Sequence, residues 1–199
     1  SPQQFGLSNL APGDIKYKDI NGDGIIDQND QTPIGYSNLP QRTYSLSTGL
    51  NYKGFDLSVL FQGASHSSVY MAGDVGWDNS WGNYFEEHLF RWTPETASTA
   101  TYPRFLQKSD GNHQNYFLSD FWLRDGKYLR LKNIQIGYNV PKRTVSRTPM
   151  NSIYLYANAY NLFTWDNVKR IDPESNPNRN IGQFYPQQNI INFGFKINF

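Results

Sequence analysis

Residues 43 to 62 read TYSLSTGLNYKGFDLSVLFQ and set the architecture of this chain. Apolar side chains recur at every second position, first at Tyr44, Leu46, Leu50 and Tyr52 and then at Phe55, Leu57, Val59 and Phe61. A period of two places successive side chains on opposite faces of a β-strand. The pattern therefore predicts two antiparallel strands, each with one apolar face, joined by a short turn at Lys53-Gly54.

The same alternation recurs three times toward the C-terminal end of the chain. It predicts strands at 128–140, 152–165 and 191–199. Each strand has about ten residues or more, and several are flanked by aromatic residues, which suits a tilted crossing of a bilayer. In 128–140, simple alternation groups Arg130 and Lys132 with the apolar side chains, so both cations are expected on that side, above any hydrocarbon.

The connections between the predicted strands differ strongly in length. The Lys53-Gly54 turn is short and 141–151 is moderate, whereas 65–127 and 166–188 are long. Short turns at one end and long loops at the other are typical of outer-membrane β-barrels. A soluble β-sandwich also uses strands with one apolar face, so alternation by itself leaves the surrounding medium open.

Ahead of these strands, the stretch from Asp19 to Asp30 has the spacing of a calcium-binding loop. Such a twelve-residue loop supplies oxygen ligands from positions 1, 3, 5, 7, 9 and 12 around a glycine at position 6. The predicted ligands are Asp19, Asn21, Asp23, the Ile25 carbonyl, Asp27 and Asp30. Because no amphipathic helix flanks the loop, a structural ion is expected rather than a sensor. The alternative is a polar loop of ordinary Asx turns.

Composition argues against several other classes of protein. The chain has no cysteine, a formal charge of +1 and no basic run, which excludes disulfides and argues against nucleic acid as a partner. It has no apolar run of about 18 residues that would predict a transmembrane helix. His66, His88 and His113 share no ligand spacing and are expected in loops or at the surface. Without a nucleophile elbow or a phosphate-binding loop, the chain is not expected to be an enzyme.

The long segment 65–127 is rich in aromatic residues. The candidate substrate-binding residues there are Trp77, Trp81, Tyr84 and Trp92. Their rings could stack on sugars or hold a peptide, but the favoured alternative is that they pack the loops into a rigid cap and against a lid protein. A short helix is expected at 83–90.

Six short motifs, in family order, resemble SusC/RagA-type TonB-dependent outer-membrane transporters of the Bacteroidetes. They are Gly13-Asp14-Ile15-Lys16-Tyr17, Tyr52-Lys53-Gly54-Phe55-Asp56-Leu57-Ser58, Arg91-Trp92-Thr93-Pro94-Glu95, Tyr128-Leu129-Arg130-Leu131-Lys132-Asn133, Asn161-Leu162-Phe163-Thr164-Trp165 and a terminal Phe199. The resemblance covers nearly the whole chain and is to the C-terminal part of such a transporter. It implies an all-β fold: an antiparallel transmembrane β-barrel segment, with five long strands of a barrel of about 22 and long extracellular loops. Since the smallest such barrels have about eight strands, the chain is expected to be a fragment.

The resemblance also implies a function and partners. It implies nutrient import across the outer membrane with a SusD/RagB-like lipoprotein lid, the remaining barrel and plug, and a TonB complex that contacts an N-terminal part. Membrane lipid would surround the strands. Glycan is the first expectation for the cargo and peptide is the second.

The expected organisation places a calcium loop in residues 1–40 and the barrel strands in 41–199, with extracellular loops at 65–127 and 166–188. The last strand resembles an outer-membrane insertion signal, which implies that Phe199 is periplasmic and the calcium loop extracellular. The alternative is a soluble extracellular β-sandwich that acts as a binding module and carries a dockerin-like calcium loop.

Overall fold

The structure is a computed structural model that describes residues 3–7, 10–71, 73, 76–78, 84–106, 113–168, 171–174, 185 and 187–199. The chain divides into two compact units. The first unit contains the described residues within 1–35 and 70–124, and the second contains those within 36–69, 125–175 and 184–199. The predicted calcium loop and most of the aromatic-rich segment are far apart along the chain but belong to one unit.

Strands account for most of the regular structure. In chain order they are β1 (Gln3–Gln4), β2 (Ile25–Ile26), β3 (Arg42–Tyr52), β4 (Phe55–Ser65), β5 (Ser68–Tyr70), β6 (Leu123–Asp125), β7 (Tyr128–Asn139), β8 (Ser152–Asp166) and β9 (Ile190–Asn198). The helices in the described part of the chain are α1 (Lys142–Val145) and short 3-10 turns at Gln28–Asp30, Glu86–Phe90, Gln114–Tyr116 and Asp120–Trp122. Among the described residues, no helix has the length and apolar character needed to cross a membrane.

The second unit is built on one antiparallel sheet with the strand order β3-β4-β7-β8-β9. All five predicted long strands are confirmed, with ends that agree to within three residues. The predicted hairpin closes at Lys53 and Gly54, whose φ angles are +48° and +89°. Two successive positive φ values are typical of the type I′ turn, whose twist matches that of the strands it joins.

Cross-strand pairing collects the apolar side chains on one side of this sheet. Directly paired residues share a face, so Leu57 lies between Leu50 and Ile136, and Ile136 lies beside Ala157. We call this side the apolar face. Its apolar members are Tyr44, Leu46, Leu50, Tyr52, Phe55, Leu57, Val59, Phe61, Leu129, Leu131, Ile134, Ile136, Tyr138, Ile153, Leu155, Ala157, Ala159, Phe163, Trp165, Ile191, Phe193, Phe195 and Ile197. Much of it is open, since Phe193 is 83% exposed and Phe195 is 71% exposed.

The opposite side, which we call the polar face, carries hydroxyl, amide and charged groups. The hydroxyl of Tyr154 donates to Asp56 Oδ2 at 2.8 Å. The rings of Tyr154 and Tyr156 stack with centroids 5.7 Å apart. Each ring lies over a glycine of the adjacent strand, Tyr154 over Gly137 and Tyr156 over Gly194, where a Cβ atom would collide with it.

The predicted position of Arg130 and Lys132 is wrong. The pairing of β4 with β7 passes from Phe61 opposite Leu131 to Leu60 opposite Asn133, which leaves Lys132 without a partner in the ladder. An extra residue of this kind is a β-bulge, and it inverts the alternation beyond it. Arg130 is therefore paired with Gln62 and Thr164 on the polar face.

The predicted helix at 83–90 is shorter than expected. A 3-10 helix spans Glu86–Phe90, and Asn83 lies outside the described residues.

Candidate functional site

The first half of the predicted calcium loop winds around the Asp19 carboxylate. Gly22 and Gly24 have φ angles of +78° and +84°, a region that favours glycine. Their N–H groups donate to Asp19 Oδ1 at 2.6 Å and Oδ2 at 2.8 Å. Asn21 and Asp23 each accept from the amide two residues ahead, at 2.9 and 2.8 Å. The carboxylate at position 1 thus points into the loop.

The Asp30 carboxylate closes the second half of the loop. Its Oδ1 accepts from the Ile20 N–H at 2.7 Å and its Oδ2 from the Asp27 N–H at 2.9 Å. The bond from the Asp27 amide, followed by that from the Ile20 amide, holds the pKa of Asp30 below its ordinary value. The carboxylates at positions 1 and 12 therefore both turn inward, and Asp30 stays ionised into mild acid.

The loop is attached to the first unit through its hydrophobic position. Ile26 is 1% exposed, and β2 pairs in parallel with β1. The Phe5 N–H donates to the Ile26 carbonyl at 2.7 Å. As the loop stands, no three or more His, Cys, Asp or Glu side chains of the described chain form a group that could hold a metal ion. The carboxylates bind backbone amides, and ionised carboxylate oxygens retain further acceptor positions.

The aromatic candidates pack on different partners. The rings of Trp77 and Tyr116 have centroids 4.9 Å apart. Tyr84 is 58% exposed, and its ring is 5.6 Å from that of Phe105. The ring of Trp92 packs against Gly13 so closely that a Cβ atom there would lie 2.5 Å from it. Trp81 lies outside the described residues.

Two of the histidines expected in loops or at the surface are buried. His113 lies in a loop as expected, whereas the expectation is wrong for His88, which lies within the 3-10 helix Glu86–Phe90. His88 is 2% exposed and His113 is 1% exposed. The His88 ring contacts four aromatic rings, those of Tyr84, Phe85, Tyr102 and Phe105. An aromatic core of this size supports packing as the role of these loop residues.

The Gly13–Tyr17 motif is joined to a distant part of the sequence by polar contacts. The Asp14 carboxylate accepts from Arg104 Nε at 2.6 Å and Nη2 at 3.2 Å, and from Asn115 Nδ2 at 3.1 Å. The Ile15 N–H donates to Asn115 Oδ1 at 2.8 Å. Sequence reasoning missed this site because the partners are about 90 to 100 residues apart, where no local spacing reports contact.

Burial around this motif affects two phenols of the first unit. It raises the pKa of Tyr17. It also raises the pKa of Tyr70 to about 12, with a smaller contribution from the Tyr17 charge. Both side chains are therefore neutral phenols over the ordinary pH range.

A buried ion cluster lies on the polar face of the second unit. Arg130 is 2% exposed and donates to both oxygens of Asp172 at 2.9 Å, to Glu174 Oε2 at 2.9 Å and to Thr164 Oγ1 at 2.8 Å. Lys132 and the Tyr128 hydroxyl also donate to Glu174, at 2.9 and 3.0 Å. We call these six residues the Arg130 cluster. The sequence places Asp172 and Glu174 in a loop but gives no sign of their partners.

The sequence matches no family model, but it is similar to two receptors of Formosa agariphila. TonB-dependent receptor P26 is 33% identical over 200 residues, which cover 94% of this chain and 20% of that protein. TonB-dependent receptor P3 is 27% identical over 202 residues, which cover 94% of this chain and 19% of that protein. The chain therefore spans about a fifth of the length of these relatives.

Solved structures show the same fold. The RagAB peptide importer in the closed-closed state aligns with 88% of this chain and 20% of its own, with a TM-score of 0.67 and 22% identity. The alignment with the RagAB peptide transporter covers 81% of this chain and 17% of the transporter chain, with a TM-score of 0.63 and 23% identity. The predicted all-β antiparallel class, with five long strands, is confirmed.

Proposed function

Because this chain belongs to the TonB-dependent receptor family, which it matches over 94% of its length, we propose that it forms five wall strands of an outer-membrane nutrient importer. The observation that carries the proposal is the exposed apolar face. Its side chains come from all five strands of one continuous sheet, and Phe193 and Phe195 are mostly uncovered by the described chain. Burying such a face in lipid is favourable by about 25 cal/mol for each Å² removed from water.

The proposed orientation follows from the two ends of the sheet. Lys53-Gly54 and Phe199 lie at the periplasmic end, and the long connections after Ser65 and Asp166 lie outside, together with the Asp19–Asp30 loop. The sheet edges at β3 and β9 pair with the remaining strands of a longer barrel, because open strand edges are not tolerated in lipid. The polar face then lines the interior, against a plug or the transport path.

The proposed mechanism is capture of a nutrient beneath a SusD/RagB-like lipoprotein lid, followed by TonB-powered displacement of the plug. The similarity to RagAB supports a two-protein assembly. Glycan is the first cargo proposed and peptide is the second, and peptide is the cargo named for the RagAB importer.

The test uses the intact protein that contains this chain. It should sediment with outer membranes, require detergent for extraction and insert into lipid vesicles. Cells that lack it should lose uptake of its nutrient, assayed with oligosaccharide and with peptide mixtures. Extraction by buffer alone, with a monodisperse product, would contradict the proposal and support the soluble sandwich.

We further propose a structural calcium ion in the Asp19–Asp30 loop, held by Asp19, Asn21, Asp23, the Ile25 carbonyl, Asp27 and Asp30. The spacing of these oxygens and the inward orientation of Asp19 and Asp30 support it. When bound, the ion would neutralise carboxylates that otherwise repel one another, and so stabilise the loop.

Calcium titration of the intact protein tests this site. Calcium should raise the melting temperature of the wild type, because a ligand that binds only the folded state stabilises it. Asp19→Asn combined with Asp30→Asn should abolish the shift, whereas Gln28→Ala, at a loop position without a ligand role, should keep it. An equal shift in all three proteins, or none in the wild type, would remove calcium from the proposal.

A further inference from the structure

The Arg130 cluster is not explained by insertion into lipid or by calcium. We propose that it is a latch that holds residues 171–174 and 187–188, which follow β8, against the polar face of the sheet. When the latch loses its charge pairing, these residues detach and the sheet remains intact.

The strand side of the latch is fixed. Arg130 lies within β7, which is paired with β4 on one side and β8 on the other. Its Nε also donates to Thr164 of β8. The bulge at Lys132 places the Lys132 ammonium on the same side, where it reaches Glu174 at 2.9 Å. Moving the Arg130 backbone would require breaking ladder hydrogen bonds on both sides.

On the loop side, several contacts of the described residues converge on Asp172. Asp172 accepts from Arg130 through both carboxylate oxygens, and from the amides of Glu174 at 2.8 Å and Gln187 at 3.2 Å. The Gln187 side chain and the Gln188 carbonyl also accept from Asn161 Nδ2, at 3.2 Å each. The Asp172 carboxylate therefore links the backbone at Glu174 and Gln187 to Arg130.

The difference between the two sides decides what happens when the pairing is lost. Removing one partner leaves a buried charge without compensation, which is strongly unfavourable. Residues 171–174 can relieve that penalty by moving their carboxylates into water, whereas the β-ladder prevents β7 from doing so. Detachment of the loop is thus the response that costs less free energy.

The functional consequence rests on the proposed function. The cluster lies at the end of the sheet where the long connections leave it, and on the face assigned to the barrel interior. The residues held by the latch would then lie on the interior side of the barrel wall, near its outer end.

Hydrogen exchange measured by mass spectrometry on the intact protein in detergent tests the latch. In Arg130→Gln, exchange at the amides of Glu174 and Gln187 should rise on the order of a hundredfold. Asp172→Asn with Glu174→Gln, which leaves the strands unchanged, should raise it similarly. The control variant is Asp125→Asn, which breaks the exposed ion pair with Lys127 at 2.9 Å. It should change exchange at the amides of Glu174 and Gln187 by no more than about threefold.

The outcomes separate the latch from general instability and from transport. Arg130→Gln combined with Asp172→Asn should exchange no faster than Arg130→Gln alone, because the second change removes an interaction already lost. Unchanged exchange at 171–174 in both charge variants would overturn the latch, as would an equal rise throughout β8 and β9. Nutrient uptake is measured separately, so failure of the transport proposal would leave the exchange result decisive for the latch.

Discussion

At the scale of single residues, Gly13 shows how one missing side chain positions another. Its φ of +90° and its contact with Trp92 both require glycine. Gly6 has a similar φ of +67°, but no atom lies within 4 Å of the point that a Cβ would occupy there. The two sites therefore separate the cost of backbone strain from the cost of displacing the indole.

We expect Gly6→Ala to lower the free energy of unfolding of the first unit by about 1 kcal/mol, from backbone strain alone. Gly13→Ala should cost roughly 2–4 kcal/mol, because the indole must also move. Chemical denaturation followed by tryptophan fluorescence measures both. Equal costs would show that Trp92 adjusts freely to the added methyl group.

At the scale of secondary-structure elements, β9 presents its two faces to different surroundings under the proposed function. Phe193 is on the apolar face, and Asn192 is on the polar face, where its amide donates to Asn158 at 3.0 Å. Phe193→Lys should weaken folding into lipid vesicles by about 2–4 kcal/mol, because it places a cation in hydrocarbon. Asn192→Lys should cost about 1 kcal/mol, through one lost hydrogen bond. Urea titration in vesicles measures the difference, and similar costs would argue against lipid at the apolar face.

The strands could be predicted from sequence because alternation is a local pattern, and in β3, β4, β8 and β9 it holds along the stretch that was identified. It failed in β7, where one extra residue inverts the faces. The sequence carries a sign of that residue, because Lys132 and Asn133 are successive polar residues and the apolar positions change from odd to even numbers between Leu131 and Ile134. The pairing with β4 and β8 locates it. The turns of the Asp19–Asp30 loop could also be predicted from the sequence, because Asp19 and Asp30 accept from amides within the same twelve-residue stretch.

At the scale of the whole molecule, the two units depend on different interactions. The second is a hydrogen-bonded sheet, whereas the first relies on aromatic packing and on polar contacts such as Asp14 with Arg104. Contacts of that second kind join residues far apart in sequence, so they could not be predicted from spacing. The assembly of residues 1–35 with 70–124 was missed for the same reason.

Alkaline pH should destabilise the first unit. Burial raises the pKa of Tyr70 to about 12, against about 10 in an unfolded chain. Folding thus favours the neutral phenol, and the resulting stability is present below pH 10 and is lost as the pH rises from about 10 to about 12. Near-ultraviolet circular dichroism should show the packing around Tyr70 loosening over this range. Tyr70→Phe should reduce the pH dependence, and an unchanged dependence would contradict this assignment.

Tyr154 and Tyr156, whose rings lie over Gly137 and Gly194, determine how far side chains project from the polar face of the sheet here. A phenol ring resting along a strand projects less than one standing upright from it. The polar face is consequently shallow around Tyr154 and Tyr156, and a neighbouring segment can pack close to the sheet there, against the two rings. Replacing either glycine with a larger residue would lift the ring and remove that clearance.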